Sequence, residues 1–295
     1  MIIFGGSSCE NLAEIVAGEL GLKSGKVEIK RFPDGEKYIR VLSDVKDQHV
    51  FVIQSMHHTP DDFLFEYFLL VDALKDLGAK KVTSFIPYFA YARQDERFKP
   101  GEALSFKTVS RLIENVGTDE IFTIDMHQHR VLRSSDVFRI PSHNLSAMPL
   151  LANYVRKEGR LQNPLVIGPD SEAEQWAKLA SETLGTDYDV FEKKRFAADK
   201  VEIRPRRATA KGRDILIVDD IISTGGTIIE ASKILHSQGA NQIEVACTHP
   251  ILATDALSRI RGAGVLNVIG TDTVPGPISY VSVAPLIAEH IRAVS

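Results

Sequence analysis

Ile215-Leu216-Ile217-Val218-Asp219-Asp220-Ile221-Ile222-Ser223-Thr224-Gly225-Gly226-Thr227 runs from uninterrupted apolar residues through two acids into a loop of hydroxyls and glycines. Ile215 to Val218 favour β-structure without polar interruption, the pattern of a strand buried on both faces of a parallel sheet. The two carboxylates are expected to end it. Ser223, Thr224 and Thr227 supply hydroxyls, Gly225 and Gly226 let the backbone approach a ligand, and the spacing of Ile228, Ile229, Ser232 and Leu235 predicts a helix. Such a strand, loop and helix start form a phosphate cradle, because free N–H groups and the helix dipole both favour an anion. Asp219 and Asp220 repel each other at the end of a buried strand and call for a sugar diol or a cation to compensate. The carboxyl end of a parallel strand is also where open α/β sheets bind ligands. An acidic turn that merely precedes a capped helix is the alternative.

The same layout occurs earlier in the chain. Val50 to Ile53 reads as a strand, followed by a polar loop to Asp62, a helix to Leu77, Gly78-Ala79 and a strand from Val82 to Ile86. The later copy runs from Ile215 through its helix to Gln238, then Gly239-Ala240 and a strand from Ile243 to Ala246. Gln54-Ser55 stand where the later copy has Asp219-Asp220, and the earlier copy lacks the glycine pair. Two related α/β domains are therefore expected, the first without its own sugar-phosphate site, and a length of 295 residues suits that division. Pro141, Ser142, His143, Asn144 and Ser146 mark the joint, so the expected domains are residues 1–141 and 142–295. Pro285, Leu286, Ile287 and Ile291 predict a docked terminal helix, with the first domain as one surface it can pack on.

With 44% hydrophobic and 25% charged residues and a net charge of -4, the chain has the composition of a soluble globular protein and lacks the basic excess of a general nucleic-acid binder. Cys9 and Cys247 are the only cysteines and share no metal-ligand spacing, which fits a reducing compartment. No stretch has the length and apolarity of a membrane span, and the first residues carry no basic, apolar leader pattern. A cytoplasmic protein is expected.

Other stretches carry polar groups at strand ends or turns. Phe32-Pro33-Asp34-Gly35-Glu36 has the composition of a turn after the strand Val27 to Arg31. Tyr91-Ala92-Arg93-Gln94-Asp95 opens a charged loop after the strand ending in Ile86. Ile121 to Ile124 reads as a strand with Asp125 and His127 two positions apart, on one side if the strand persists. Leu165 to Gly168 repeats the strand-then-acid theme with Asp170, and Tyr188 to Phe191 leads into the basic cluster Glu192-Lys193-Lys194-Arg195, ordinarily a solvated surface. Ala197 to Lys211 has the polarity of a flexible or hairpin excursion.

In this order, and over essentially the full length, these motifs resemble phosphoribosyl diphosphate (PRPP) synthetases, archaeal-type members among them. The strand, acid pair and loop alone also resemble type I phosphoribosyltransferases. The resemblance implies an α/β fold of two related phosphoribosyltransferase-like domains, each a mainly parallel sheet flanked by helices, with the ATP side in the first. The implied enzyme is a ribose-phosphate diphosphokinase, which moves the diphosphoryl group of Mg-ATP to the anomeric hydroxyl of ribose 5-phosphate for nucleotide biosynthesis. Residue by residue, Asp219 and Asp220 would hold the ribose hydroxyls, and Ser223, Thr224, Gly225, Gly226 and Thr227 the 5-phosphate. Phe32, Asp34 and Glu36 would read adenine across a subunit interface, which makes a homo-oligomer, at least a dimer, the expected assembly. Arg93 and Gln94 would contact ATP, His127 and Asp170 would seat Mg2+, and Lys193 and Arg195 would stabilise the transferring group. The implied partners are these two substrates, with no nucleic acid and no membrane.

The chain departs from the familiar bacterial pattern after His127, where Gln128-His129 replace Ala-Pro, and after Asp170, where Glu172-Ala173-Glu174 stand in place of a glycine pair. A phosphoribosyltransferase that consumes PRPP would leave the Phe32–Glu36 loop and Arg93-Gln94 without a role. A non-catalytic regulatory relative would have lost the basic cluster or the acid pair, and both are present.

Overall fold

The computed structural model describes residues 1–97, 99–127, 136–197, 200–205 and 208–294, with only the backbone described in 193–197 and 200–205. The chain forms two compact units, Met1–Leu145 with Val283–Ser295, and Ser146–Ser282. Among the described residues no helix is long and apolar enough to cross a membrane.

The first unit is built on a six-stranded parallel sheet. Its strands are β1 (Ile2–Gly5), β2 (Lys23–Ser24), β5 (His49–Ile53), β6 (Lys81–Ile86), β7 (Glu120–Ile124) and β8 (Ser142–Leu145), in the order β2-β1-β5-β6-β7-β8. A separate antiparallel hairpin, β3 (Val27–Arg31) and β4 (Lys37–Val41), interrupts the crossover to β5. Helices α1 (Glu10–Leu20), α2 (Pro60–Asp76) and α3 (Ser105–Asn115) complete the crossovers. Val50 to Ile53 are completely buried, as a strand covered on both faces requires.

The second unit contains α4 (Met148–Glu158), β9 (Leu165–Gly168), α5 (Glu174–Leu184), β10 (Tyr188–Ala197), β11 (Lys200–Pro205), β12 (Asp214–Ile221), α6 (Gly226–Ser237), β13 (Gln242–His249), α7 (Ala256–Gly262), β14 (Asn267–Thr271) and β15 (Ser279–Val281). Its sheet has the order β11-β10-β9-β12-β13-β14-β15, and only the β10–β11 pairing is antiparallel. Alternation along β12 sorts its apolar residues into two layers. Ile215 and Ile217 pack with Ile228 and Leu235 of α6, whereas Leu216 and Val218 join Leu151 of α4 and Trp176 of α5.

Without β11, the second order has the same pattern as the first, with β9 standing for β1 and β12 for β5. The repeated layout in the sequence thus corresponds to a repeated topology. In each sheet the chain first steps to one side and then crosses to the other, so a topological switch point lies between β1 and β5 and again between β9 and β12.

One difference from expectation concerns where the first unit ends. The polar residues taken as a joint beginning at 142 form β8, in parallel register with β7 from Ile121↔Ser142 to Ile124↔Leu145. This moves the division to follow Leu145. Thr123 donates to the Asn144 side chain at 3.0 Å, and His143 stacks on Phe122 at 4.5 Å, so polar side chains build this edge. The terminal helix α8 (Ala284–Val294) belongs to the first unit as well. Its Ile287, Ala288 and Ile291 are buried, and Arg292 donates to the Glu19 carbonyl at 3.2 Å.

Tyr67 of α2 is fully buried, with its hydroxyl 2.7 Å from Ser84 Oγ and 2.5 Å from Thr118 Oγ1. Burial pushes the phenol up to about 12. The folded chain keeps this proton where the unfolded chain, titrating near 10, gives it up. The associated stability is therefore intact below about pH 10 and lost as pH rises from about 10 to about 12. Tyr67→Phe should cost about 1 to 2 kcal/mol at neutral pH, since Ser84 and Thr118 lose a partner, and should flatten the alkaline limb of stability measured by urea denaturation. An alkaline limb as steep as that of the parent would exclude Tyr67 as its source.

Candidate active site

The acid pair sits at the carboxyl end of β12. The strand does not stop at the acids, as the sequence suggested, but continues through them to Ile221, because β13 keeps pairing with it: Asp219 lies opposite Cys247, and Ile221 opposite His249. On the other side β9 pairs only with Ile215 to Ile217. Asp219 and Asp220 thus lie beyond the end of β9, at the switch point of the sheet.

Asp220 is almost completely buried, and each acid caps the next backbone N–H: Asp219 Oδ1 accepts from Asp220 N at 3.0 Å and Asp220 Oδ1 from Ile221 N at 2.8 Å. Burial, then the charges of Asp220 and Asp170, push the Asp219 carboxyl well above the usual carboxylate range. Asp170 follows β9, and its Oδ1 caps the short 3-10 turn Ser171–Ala173 by accepting from Glu172 N and Ala173 N at 3.0 and 3.2 Å. Three carboxylates of one unit therefore crowd the same strand ends. Like charges held together in this way favour a ligand that shares their charge through hydroxyl donors or a cation.

Ser223 and Thr224 form the bend after β12, and Gly225 precedes α6 with φ 74°. A side chain on Gly225 would be strained by that conformation, and its Cβ would meet Ile260 at 2.7 Å. Gly226 and Thr227 are the first residues of α6, where backbone N–H groups have no intrahelical acceptor. Ser223 is partly exposed, and Thr224, Gly226 and Thr227 are open to solvent.

The segment from His249 to Ala253, whose residues 248–252 also resemble PRPP synthetases, supports this loop. Ile222 N donates to the His249 carbonyl, Leu252 N to the Ile222 carbonyl and Ala253 N to the Ser223 carbonyl, at 2.9 to 3.1 Å. Leu252 and Thr254 adopt φ of 48° and 55°. His249 is itself buried, with Nδ1 2.8 Å from Thr273 Oγ1. Positive φ at residues other than glycine was the hidden signal, and nothing in those residue types announces it.

In the first unit Phe32 to Glu36 form the exposed tip of the β3–β4 hairpin. Phe32 N donates to the Glu36 carbonyl at 2.8 Å, and Gly35 turns the chain with φ 97°. Phe32 packs edge-on against Tyr38, 5.7 Å between centroids. Arg93 is exposed. The Gln94 side-chain amide is used within its own loop, donating to the Glu96 carbonyl at 3.0 Å and to Glu102 at 3.2 Å.

Asp125 is buried with φ 39°, so β7 ends at Ile124 and the expected extended spacing of Asp125 and His127 does not hold. His127 is half-buried in the first unit, whereas Gln128 and His129 lie outside the described residues. Lys193 and Arg195 are on the backbone of β10, paired with Ile203 and Val201 of β11; their side chains lie outside the described part of the structure.

Two family models match successive parts of the chain. A family model described as the N-terminal domain of ribose phosphate pyrophosphokinase matches residues 1–117, and a phosphoribosyl transferase domain model matches residues 135–262. The chain is 45% identical to a ribose-phosphate pyrophosphokinase of Methanothermobacter thermautotrophicus, covering 99% of this chain and 100% of the relative. It is 39% identical to that of Methanopyrus kandleri, with both chains covered completely. The crystal structure of phosphoribosylpyrophosphate synthetase from Mycobacterium smegmatis superimposes with a TM-score of 0.88 at 31% identity, covering 99% of this chain and 98% of that one. On full-length similarity of sequence and of structure, the chain belongs to the ribose-phosphate pyrophosphokinase family of enzymes.

Proposed function

We propose that this enzyme transfers the diphosphoryl group of Mg-ATP to the anomeric hydroxyl of ribose 5-phosphate, giving PRPP and AMP for nucleotide biosynthesis. The observation that carries this reading is the acid pair at the β9–β12 switch point beside an open helix start. Asp219 and Asp220 accept hydrogen bonds from the ribose hydroxyls, which relieves the repulsion between them. The 5-phosphate takes the N–H groups at the start of α6 and the hydroxyls of Ser223, Thr224 and Thr227. A Cβ built on Gly226 has only Thr224 Oγ1 near it, at 3.8 Å, so the protein itself does not require glycine there. A phosphate lying on the backbone does.

Carboxylate oxygens suit magnesium. Among the described residues no group of three or more His, Cys, Asp or Glu side chains is arranged to hold a metal. Magnesium is commonly held by one or two protein groups together with substrate phosphates. By the family resemblance, Asp170 in the second unit and His127 in the first would each offer a magnesium ligand. When bound, the ion neutralises phosphate charge. Lys193 and Arg195 meet the charge that develops on the transferring group, and an arginine fork such as that of Arg93 suits polyphosphate oxygens. Phe32 stacks on adenine, with Asp34 and Glu36 accepting from it; because the family resemblance puts that contact across a subunit interface, the working enzyme is at least a dimer. A PRPP-consuming transferase shares the second unit's loop but has no use for the hairpin.

Incubation with ATP, ribose 5-phosphate and magnesium, followed by phosphorus NMR, should show AMP and PRPP in equal amounts and neither without magnesium. ADP as the product would overturn diphosphoryl transfer. Asp220→Asn should lower the specificity constant for ribose 5-phosphate roughly ten- to hundredfold, as expected for loss of a charged hydrogen bond. The same change should raise the melting temperature of the free protein, since it removes one of the crowded charges. Unchanged ribose 5-phosphate kinetics would take the acid pair out of the site. Gly226→Ala should leave thermal stability near that of the parent while raising KM for ribose 5-phosphate. Parental kinetics in that variant would mean that no phosphate lies against residue 226.

A further inference from the structure

The β3–β4 hairpin is attached to the first unit in two different ways. At its base Val27, Ile39 and Val41 pack on the hydrophobic core. Toward the tip apolar packing gives way to a cavity of about 280 Å³ between the hairpin and α2, lined by Ser7, Arg31, Lys37, Asp62, Phe63 and Glu66 among others. Two ion pairs span this gap. Arg31 Nη2 lies 2.7 Å from Asp62 Oδ1, and Lys37 Nζ lies 2.7 Å from Glu66 Oε2.

Their placement is specific. Arg31 and Lys37 face each other across the hairpin as its last cross-strand pair, immediately before the Phe32–Glu36 tip. Asp62 and Glu66 are four residues apart on α2 and so lie on one face, one turn from each other. One carboxylate holds each strand at the point where the tip begins. Arg31 does more, since its Nη1 donates to the Gly35 carbonyl within the tip at 2.7 Å. Glu66 is anchored in turn: Ser7 N, Ser7 Oγ and Gln54 Nε2 donate to it at 2.7 to 3.1 Å, and the side chains of Lys37 and Glu66 are both buried. The Arg31–Asp62 pair is half-exposed, where an ion pair adds little to stability. Its geometry, a guanidinium shared between a helix carboxylate and a turn carbonyl, fixes direction.

We propose that Asp62 and Glu66 are positioning residues for nucleotide recognition, acting through Arg31 and Lys37 to hold the hairpin tip at the angle from which Phe32, Asp34 and Glu36 meet the base. This inference rests on the proposed role of that tip in reading adenine. α2 therefore serves the donor nucleotide through the hairpin that it holds.

Steady-state kinetics with ATP and with GTP on four variants test this. Asp62→Asn and Lys37→Met should each raise KM for ATP about tenfold, the scale of a misplaced but intact contact group, and narrow the preference for ATP over GTP. KM for ribose 5-phosphate and the turnover at saturating ATP should stay within about twofold of the parent, as for lost ground-state binding. Asp62→Glu, which keeps the charge, should recover most of the ATP affinity. Lys37→Met leaves Glu66 buried without its cation; if it fails to fold, the exposed Asp62→Asn decides alone. Unchanged KM for ATP with a lowered melting temperature would overturn the proposal and leave the pairs as structural ties. Equal increases in both Michaelis constants would overturn it as well. The double change Asp34→Ala with Glu36→Ala separates the two levels: if it also leaves KM for ATP unchanged, the tip does not read the nucleotide, and the underlying assignment fails rather than the latch alone.

Discussion

Repulsion among Asp219, Asp220 and Asp170 is the constraint around which the second unit is built. Burying carboxylates side by side opposes folding, and the rise in the Asp219 pKa expresses that cost. The sheet bears it because β12 is central, paired on both sides and packed above and below by apolar layers. A strand so firmly held can carry acids beyond the end of its shorter neighbour. The loop that follows inherits the same rigidity through the His249–Ala253 segment and through Ile260, which leaves no room for a side chain on Gly225. Under the proposed function, sugar hydroxyls or a cation relieve the repulsion that remains.

The first unit shows what becomes of the same topology when that constraint is released. Gln54 and Ser55 take the place of the acids, and both are completely buried. The turn after β1 still presents the Ser7 N–H, but its acceptor is Glu66 of the chain's own helix α2. An internal carboxylate thus fills an anion position of the first switch point.

How much was legible depended on whether the signal was local. Continuous apolar runs identified β5 and β12, and the matching Gly-Ala pairs exposed the repeat, because strand burial and helix termination are written in neighbouring residues. β8 was hidden, since an edge strand needs one partner, and His143 and Asn144 find theirs in Phe122, Thr123 and the Met126 N–H. The persistence of β12 through two acids was hidden for a related reason: pairing with β13 overrides the residues' own weak preference for strand. The acid pair and glycine loop were found from their types, whereas the Arg31, Lys37, Asp62 and Glu66 arrangement depends on contacts between a hairpin and a helix far apart in sequence. Charged residues in a turn and on a helix are common everywhere, and only the fold distinguishes a latch from a solvated surface.

The first unit is discontinuous, drawing its last helix, α8, from the far end of the chain. During synthesis the order of completion is consequently inverted. The second unit has all its residues once Ser282 has emerged, while the first, begun at residue 1, waits with the α1 surface uncovered until α8 arrives. The first unit is therefore completed after the second although it is begun earlier, and removal of α8 leaves an exposed apolar surface on the half that is made first.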